Sequence, residues 1–215
     1  MTVPPVLWRP SAEQVEHATL TRFMRWVEET RGVSAPDYDA LWRWSVGDLE
    51  AFWGAVWEFF RVGPPPPGPV LASRAMPGVV WFPGTTVNYA AHLMRGHAPE
   101  DVALRHATEG QPVAETTWGE LHVTVGRVAA GLRSLGVGEG DRVAAYLPNV
   151  PEAVAGLLAC ASLGAVWTSC SPEFGVRSVV DRFAQVAPKV LLAADGYRYG
   201  GREFDRVPAV RELQA

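Results

Sequence analysis

Apolar residues recur at three- and four-residue spacing through the first sixty positions. Beyond them, short apolar runs alternate with longer amphipathic stretches. Residues 11–31 read as one helix. Ser11 suits its cap, Glu13 and Gln14 fall in its first turn, and Leu20, Phe23, Met24 and Val27 form a stripe. Gly32 is placed to stop it. A second helix is predicted over 46–61, where Leu49, Phe52, Trp53, Val56, Trp57 and Phe60 repeat at helical spacing and should face a core. A ligand-stacking role for these tryptophans is the alternative. Pro64 to Pro67 are consecutive and flanked by Gly63 and Gly68. Proline has no backbone donor and a fixed φ, so this tract joins neither a helix nor a central strand. A boundary is therefore expected there: a Trp-rich helical leader over 1–62, a connector over 63–70 and an α/β subdomain over 71–215. Short aromatic-striped helices bury little alone, so the leader is expected to pack on the main domain.

After the connector, Trp81-Phe82-Pro83-Gly84 reads as a loop and Asn88 to Arg95 as a short helix. Val102 to His106 and Val113 to Thr116 read as paired strands around a turn at Glu109-Gly110. Thr117 and Glu120 form a capping box. The helix behind it should bury Leu121, Val125, Val128, Leu132 and Leu135 and end at Gly136. Val143 to Leu147 is a strand-length apolar run broken by Pro148, and Pro151 suits the first turn of a helix running to about Leu163. Gly164 closes that helix and Ala165 to Ser169 is strand-like again. This unit has the length of a parallel crossover. Val176, Val179, Val180, Phe183 and Val186 mark a further amphipathic helix, ended by Pro188, and Val190 to Ala194 a further buried strand. The fold class implied is α/β, a parallel sheet flanked by helices.

Composition narrows the picture. A chain of 215 residues with 48% hydrophobic content suits one or two domains. A net charge of −4 offers no basic face for nucleic acid. No window holds 18 uninterrupted apolar residues, so no membrane partner is expected. Residues 1–10 lack a basic stretch followed by an apolar core, so no secretory signal is expected. Cys160 and Cys170 form neither a disulfide framework nor a zinc pattern and are expected as small buried residues. A cytoplasmic compartment is the default expectation. Lys189 is the only lysine and isoleucine is absent, which fits codon bias. No lysine is therefore available to grip phosphate from a glycine-rich loop.

Gly136-Val-Gly138-Glu-Gly140 invites a nucleotide-binding reading, but these glycines follow a helix and precede a strand. A dinucleotide loop requires the reverse order, because the helix N-terminus must face the phosphates. They are read as a turn. His17, His92, His97, His106 and His122 show no metal spacing, and the carboxylates show no glycosidase-like pairing. Trp118 and Trp167 are expected to pack between sheet and helix, and Asp141-Arg142 to cap a turn and pair at the surface.

Several motifs in order resemble the adenylate-forming acyl-CoA synthetases, which activate a carboxylate with ATP and pass it to coenzyme A. They are Thr-Thr-Trp-Gly-Glu-Leu at 116–121, Gly140-Asp141-Arg142-Val143, Pro148-Asn149-x-Pro-Glu152, Gly164-Ala165-Val166, and Ala194-Asp195-Gly-Tyr-Arg198 through Arg202. The leader segments Leu7-Trp8-Arg-Pro, Met24-Arg-Trp26, Tyr38-x-x-Leu-Trp42-x-Trp44-Ser45 and Phe52-Trp53-x-x-x-Trp57 resemble the short-chain branch. The Leu-Trp-x-Trp-Ser signature and Cys170-Ser-Pro-Glu-Phe-Gly175 are most similar to the acetoacetate-activating members. The acetyl-CoA branch carries a Phe-Gly-Gly-Phe-like loop there, a departure that argues against acetate.

The resemblance implies the N-terminal part of the family's large domain. It implies ATP, Mg2+ and CoA in the intact enzyme and a short-chain keto acid as substrate. It places the catalytic residues, the phosphate loop and any metal ligand outside this chain, so no cofactor is expected bound to the segment and no ligase activity from it alone. Ser171, Pro172 and Glu173 match a loop that lies against CoA, and Arg198 and Arg202 match two arginines that approach its nucleotide phosphate. This chain has one extra residue between those arginines and lacks the loop's double glycine. The plainer alternative is two solvated arginines and a cap for the next helix. Three other readings stand beside this one: a ligase of acetate, propionate or another small acid; a binding or interaction module on a shortened synthetase scaffold; or a proteolytic piece of a longer protein. Exposed apolar surface would permit self-association.

Overall fold

The structure, a computed structural model, describes residues 5–214; the first four positions of the expected signal-free N-terminus lie outside the described residues. It divides into two units, residues 1–87 and 88–215.

The first unit begins with helices α1 (Ala12–His17) and α2 (Thr19–Arg31). Ser11 and Gln14 complete a capping box on α1, and Gly32 ends α2 in the left-handed conformation at φ 66°. The single helix expected over 11–31 is broken at Ala18, which is extended at ψ 139°. Contacts across that break favour two helices: Thr21 donates to Val15 O at 2.6 Å, and Arg25 holds Glu16 by two bonds of 2.6 Å.

The helix expected over 46–61 is found over Leu49–Phe59, preceded by a helix that periodicity did not show. Helix α3 (Tyr38–Gly47) starts at the Asp37 cap, and α4 (Leu49–Phe59) starts at Asp48, whose carboxylate accepts from Ala51 N. Phe23, Val27, Ala35, Leu41 and Ala55 form a buried cluster flanked by Trp26, Trp44, Phe52 and Phe59. Leu20, Trp53 and Phe60 stay exposed, so the predicted stripes are buried only in part. Strands β1 (Leu71–Ser73) and β2 (Val80–Trp81) form a small antiparallel pair, and β2 claims part of the expected 81–84 loop.

The proline tract is not the dividing line. Trp57 Nε1 donates to Pro64 O at 3.0 Å, and the Trp57 ring stacks on Phe82 at 4.6 Å. The tract is thereby held within the first unit, and the division falls at Val87–Asn88.

The second unit opens with α5 (Tyr89–Leu93), capped by Asn88, and the hairpin of β3 (Val102–His106) and β4 (Ala114–Thr117). Helix α6 (Trp118–Ser134) carries the expected Thr117–Glu120 capping box. It buries Leu121, Val125, Ala129 and Leu132, while Leu135 is 61% exposed, contrary to expectation. Leu135 lies past the last helical turn, where the chain reverses at Gly136.

Strand β5 (Arg142–Tyr146), helix α7 (Pro151–Ser162) and strand β6 (Val166–Cys170) form the predicted crossover. Helix α8 (Val176–Val186) leads to β7 (Val190–Ala193). The sheet is parallel in the order β6-β5-β7, with Val143 opposite Trp167 on one side and Val190 on the other. Strand β7 is half-buried rather than fully buried, because it lies at an edge.

Successive residues of β5 feed two cores, as strand alternation requires. Val143 joins Leu121, Val125, Leu132, Leu158 and Cys160 of α6 and α7. Ala144 and Tyr146 join Cys170, Val179 and Phe183. Leu132 and Leu158 are almost fully buried, each worth about 2–3 kcal/mol relative to exposure. The result is helix, sheet, helix. Beyond β7 come a hairpin of β8 (Gly196–Tyr199) and β9 (Arg202–Asp205), then α9 (Val207–Leu213).

Candidate functional site

The loops after β5, β6 and β7 all leave the carboxyl end of the sheet. In an open parallel sheet, crossovers that depart to opposite sides of a strand leave a crevice at that end. Here α7 and α8 serve opposite faces of β5, and a cavity of about 400 Å³ lies there. It is lined by 107–109 from the β3–β4 turn, Pro148-Asn149-Val150, Ser171-Pro172-Glu173 and Gly196 to Tyr199. Four segments distant in sequence thus meet in one place.

The loop after β6 is anchored from below. Tyr146 is fully buried, and its hydroxyl proton is shared between Pro172 O at 2.7 Å and Phe174 O at 2.9 Å. Burial pushes the phenol's pKa above its ordinary value, with the Arg206 charge pulling weakly the other way. Pro172 is itself fully buried. It therefore serves as the loop's anchor, while Ser171 and the exposed Glu173 are the members able to meet a ligand. Sequence patterning assigned Tyr146 to core strand only; its polar hydroxyl at a buried position was the available signal.

The hairpin carries Arg198 to the cavity. Gly200 and Gly201 both have positive φ (60° and 74°), as a tight hairpin turn of this hand demands. At its base, Tyr197 stacks on Phe204 at 5.0 Å, and Arg206 donates to the Tyr197 hydroxyl at 2.9 Å while lying over both rings. The register pairs Arg198 with Glu203 and Tyr199 with Arg202. Opposed residues share a face and successive pairs alternate, so Arg198 and Arg202 lie on opposite faces of the ribbon. Arg198 lines the cavity and Arg202 does not. Of the five residues picked out from sequence, Ser171, Pro172, Glu173 and Arg198 are brought together.

The cavity chemistry is mixed. Arg198 is the one cation among its lining residues and Glu109 and Glu173 are carboxylates; Tyr197 and Tyr199 also border it, although their side chains belong to the ribbon face opposite Arg198. Such a set suits a hydroxyl-rich group and one phosphate. No cluster of three or more His, Cys, Asp or Glu able to hold a metal ion occurs among the described residues. Lys189 is occupied elsewhere: its ammonium bonds Gly136 O and lies 3.0 Å from Asp141. Asp141 also accepts from Gly138 N at 2.8 Å, so the glycine-rich segment is a capped turn, as expected. Asp141 pairs with Lys189 rather than Arg142, which caps the end of α8 through Val186 O and Ala187 O.

Comparison with known proteins finds relatives over nearly the whole chain. The model of the AMP-binding enzyme family matches residues 94–215, and that of the acetyl-coenzyme A synthetase N-terminus matches residues 38–93. The acetoacetyl-coenzyme A synthetase of Rhizobium meliloti (strain 1021) is 43% identical over 96% of this chain and 32% of its own length. The malonamoyl-CoA synthetase of Penicillium aethiopicum is 33% identical over 97% of this chain and 30% of its own. The solved acetoacetyl-CoA synthetase from Streptomyces lividans has 51% identity and a TM-score of 0.90, over 98% of this chain and 33% of that one. The chain thus spans about a third of the length of the curated relatives it matches.

Proposed function

The chain belongs to the AMP-binding enzyme family, and from that premise we propose that it is the N-terminal segment of an ATP-dependent acetoacetate–CoA ligase. The proposed reaction joins acetoacetate to ATP, giving an acyl-adenylate and pyrophosphate. The thiol of CoA then displaces AMP, giving acetoacetyl-CoA. The observation that carries this reading is the close likeness of almost the whole chain to a ligase named for acetoacetyl-CoA. The relative named for malonamoyl-CoA supports the acid class, because acetoacetate and malonamate both carry a carbonyl β to the carboxylate.

In this reading the cavity at the carboxyl end of the sheet receives CoA. The Arg198 guanidinium pairs with a phosphate and Ser171 offers a hydroxyl. Tyr146 holds the loop that presents Ser171 and Glu173. Arg202, facing away, acts on solvent or on a part of the protein beyond this segment. The cavity is small beside the whole of CoA, so it suits one end of that molecule. In the same proposal, the groups that hold Mg2+ and the phosphates of ATP come from other parts of the intact ligase. The helical leader packing on the α/β unit, a cytoplasmic location, a role in ketone-body and lipid metabolism, and self-association through exposed apolar surface belong to the same proposal.

The test is pyrophosphate release with ATP and CoA, comparing acetoacetate with acetate and propionate. A protein carrying this segment is expected to prefer acetoacetate, and residues 1–215 alone are expected to show no turnover. Preference for acetate would favour the acetyl-CoA branch, to which the match over 38–93 points. Turnover by the segment alone would overturn the division of labour.

A further inference from the structure

We propose that Glu109 is a positioning residue for the CoA cavity, acting through the tip of the β8–β9 hairpin; this rests on the reading of that cavity given above. The hairpin is a separate two-stranded sheet of four residues per strand. Such a hairpin is marginal unless something outside it holds it. Its base is held by Arg206, whose backbone N–H donates to Asp195 O at 2.6 Å and whose side chain reaches Tyr197. Its tip is held elsewhere. Glu109 Oε1 accepts from Gly201 N at 2.9 Å, across 92 residues of sequence. That amide belongs to the tight turn at the hairpin tip and is donated to Glu109 rather than to the hairpin's own ladder.

The neighbouring geometry gives the contact a purpose. Glu109 and Arg198 line the same cavity. The Arg198 Nη1 lies 3.7 Å from where a side chain on Gly110 would begin, so the guanidinium rests against the β3–β4 turn. Gly110, at φ 79°, leaves that space open. The carboxylate therefore fixes the hairpin tip, and the tip sets how Arg198 approaches the loop at 171–173. Glu109 is exposed and belongs to no core cluster among the described residues, so its replacement should leave the fold intact.

The experiment measures CoA and 3′-dephospho-CoA affinity by calorimetry for the wild type, Glu109→Ala, Glu109→Gln and Arg198→Ala. It also follows amide exchange at Gly201 without ligand. Glu109→Ala is expected to weaken CoA by about three- to tenfold, the usual scale of one lost hydrogen bond, and to speed exchange at Gly201. Glu109→Gln retains a carbonyl acceptor and should restore both. Arg198→Ala should weaken CoA and leave Gly201 protected. In active ligase carrying the segment, Glu109→Ala should raise the KM for CoA and leave kcat and the KM for ATP alone. CoA binding within twofold of wild type in Glu109→Ala, or Gln behaving as Ala, overturns the proposal for Glu109. Absence of CoA binding by the wild type, with Gly201 still deprotected in Glu109→Ala, instead overturns the reading of the cavity.

Discussion

Single side chains settle much of the local chemistry. The Asp141 carboxyl is held below the usual carboxylate range, first by Gly138 N–H and then by the Lys189 ammonium. Its folded pKa is depressed relative to the unfolded chain, so its stabilisation is present above the ordinary carboxylate pKa. That stabilisation is lost as pH falls through the depressed value. Asp141→Asn should therefore be less stable than wild type at neutral pH, and the two should converge in acid when urea midpoints are compared across pH. Burial pushes the Cys160 thiol up to about 11, which leaves almost no thiolate at neutral pH. Native protein should react with a disulfide reagent at neither Cys160 nor the buried Cys170 until denaturant is added; rapid labelling of folded protein would contradict this. Removing the Tyr146 hydroxyl leaves two carbonyls of the 171–174 loop without their donor. Tyr146→Phe should cost about 1–3 kcal/mol of stability and weaken CoA, read by denaturant titration and calorimetry.

Elements were legible where their signals are local. The Thr117–Glu120 box, Pro151 at the start of α7 and the left-handed glycines after α2 and α6 lie beside the hydrogen bonds they serve. The β3–β4 hairpin also follows from local alternation and a Gly110 turn. The break at Ala18 was not legible, because nothing at that position caps or breaks a helix; the break at Asp48 was, through Gly47 and an Asp able to cap Ala51 N, a local signal that the apolar periodicity obscured. Helix α3 lay hidden in a tryptophan-rich motif whose Asp37 cap has the same residue type as many turn aspartates. Close packing also outweighs propensity within α7. A methyl on Gly156 would lie 2.8 Å from the Trp167 ring, and overpacking of about 1–3 kcal/mol exceeds the roughly 1 kcal/mol that alanine gains in a helix. Gly156→Ala should thus destabilise, and the penalty should shrink in a Trp167→Leu background, leaving the milder contact with Leu192 at 3.3 Å; a double-mutant unfolding cycle measures it.

At the scale of the molecule, the α/β class and the approximate order of elements were readable from amino-acid pattern, as was the resemblance to acyl-CoA synthetases. Repeating apolar positions, caps and breakers act within one or two turns of chain, so sequence by itself determines them. It also determined four of the residues around the cavity, through motif likeness rather than geometry. Tertiary structure alone decided the rest. The order β6-β5-β7 depends on which neighbours each edge finds. The opposition of Arg198 and Arg202 depends on hairpin register. The capture of the proline tract depends on Trp57 reaching Pro64. The bond from Glu109 to Gly201 joins two turns that no local pattern relates. The sheet order and the Glu109–Gly201 bond rest on partners far apart in sequence, whose free energy exists only once the chain has brought them together. Hairpin register and the Trp57–Pro64 bond span only a few residues, but they depend on backbone and rotamer geometry that residue pattern does not carry.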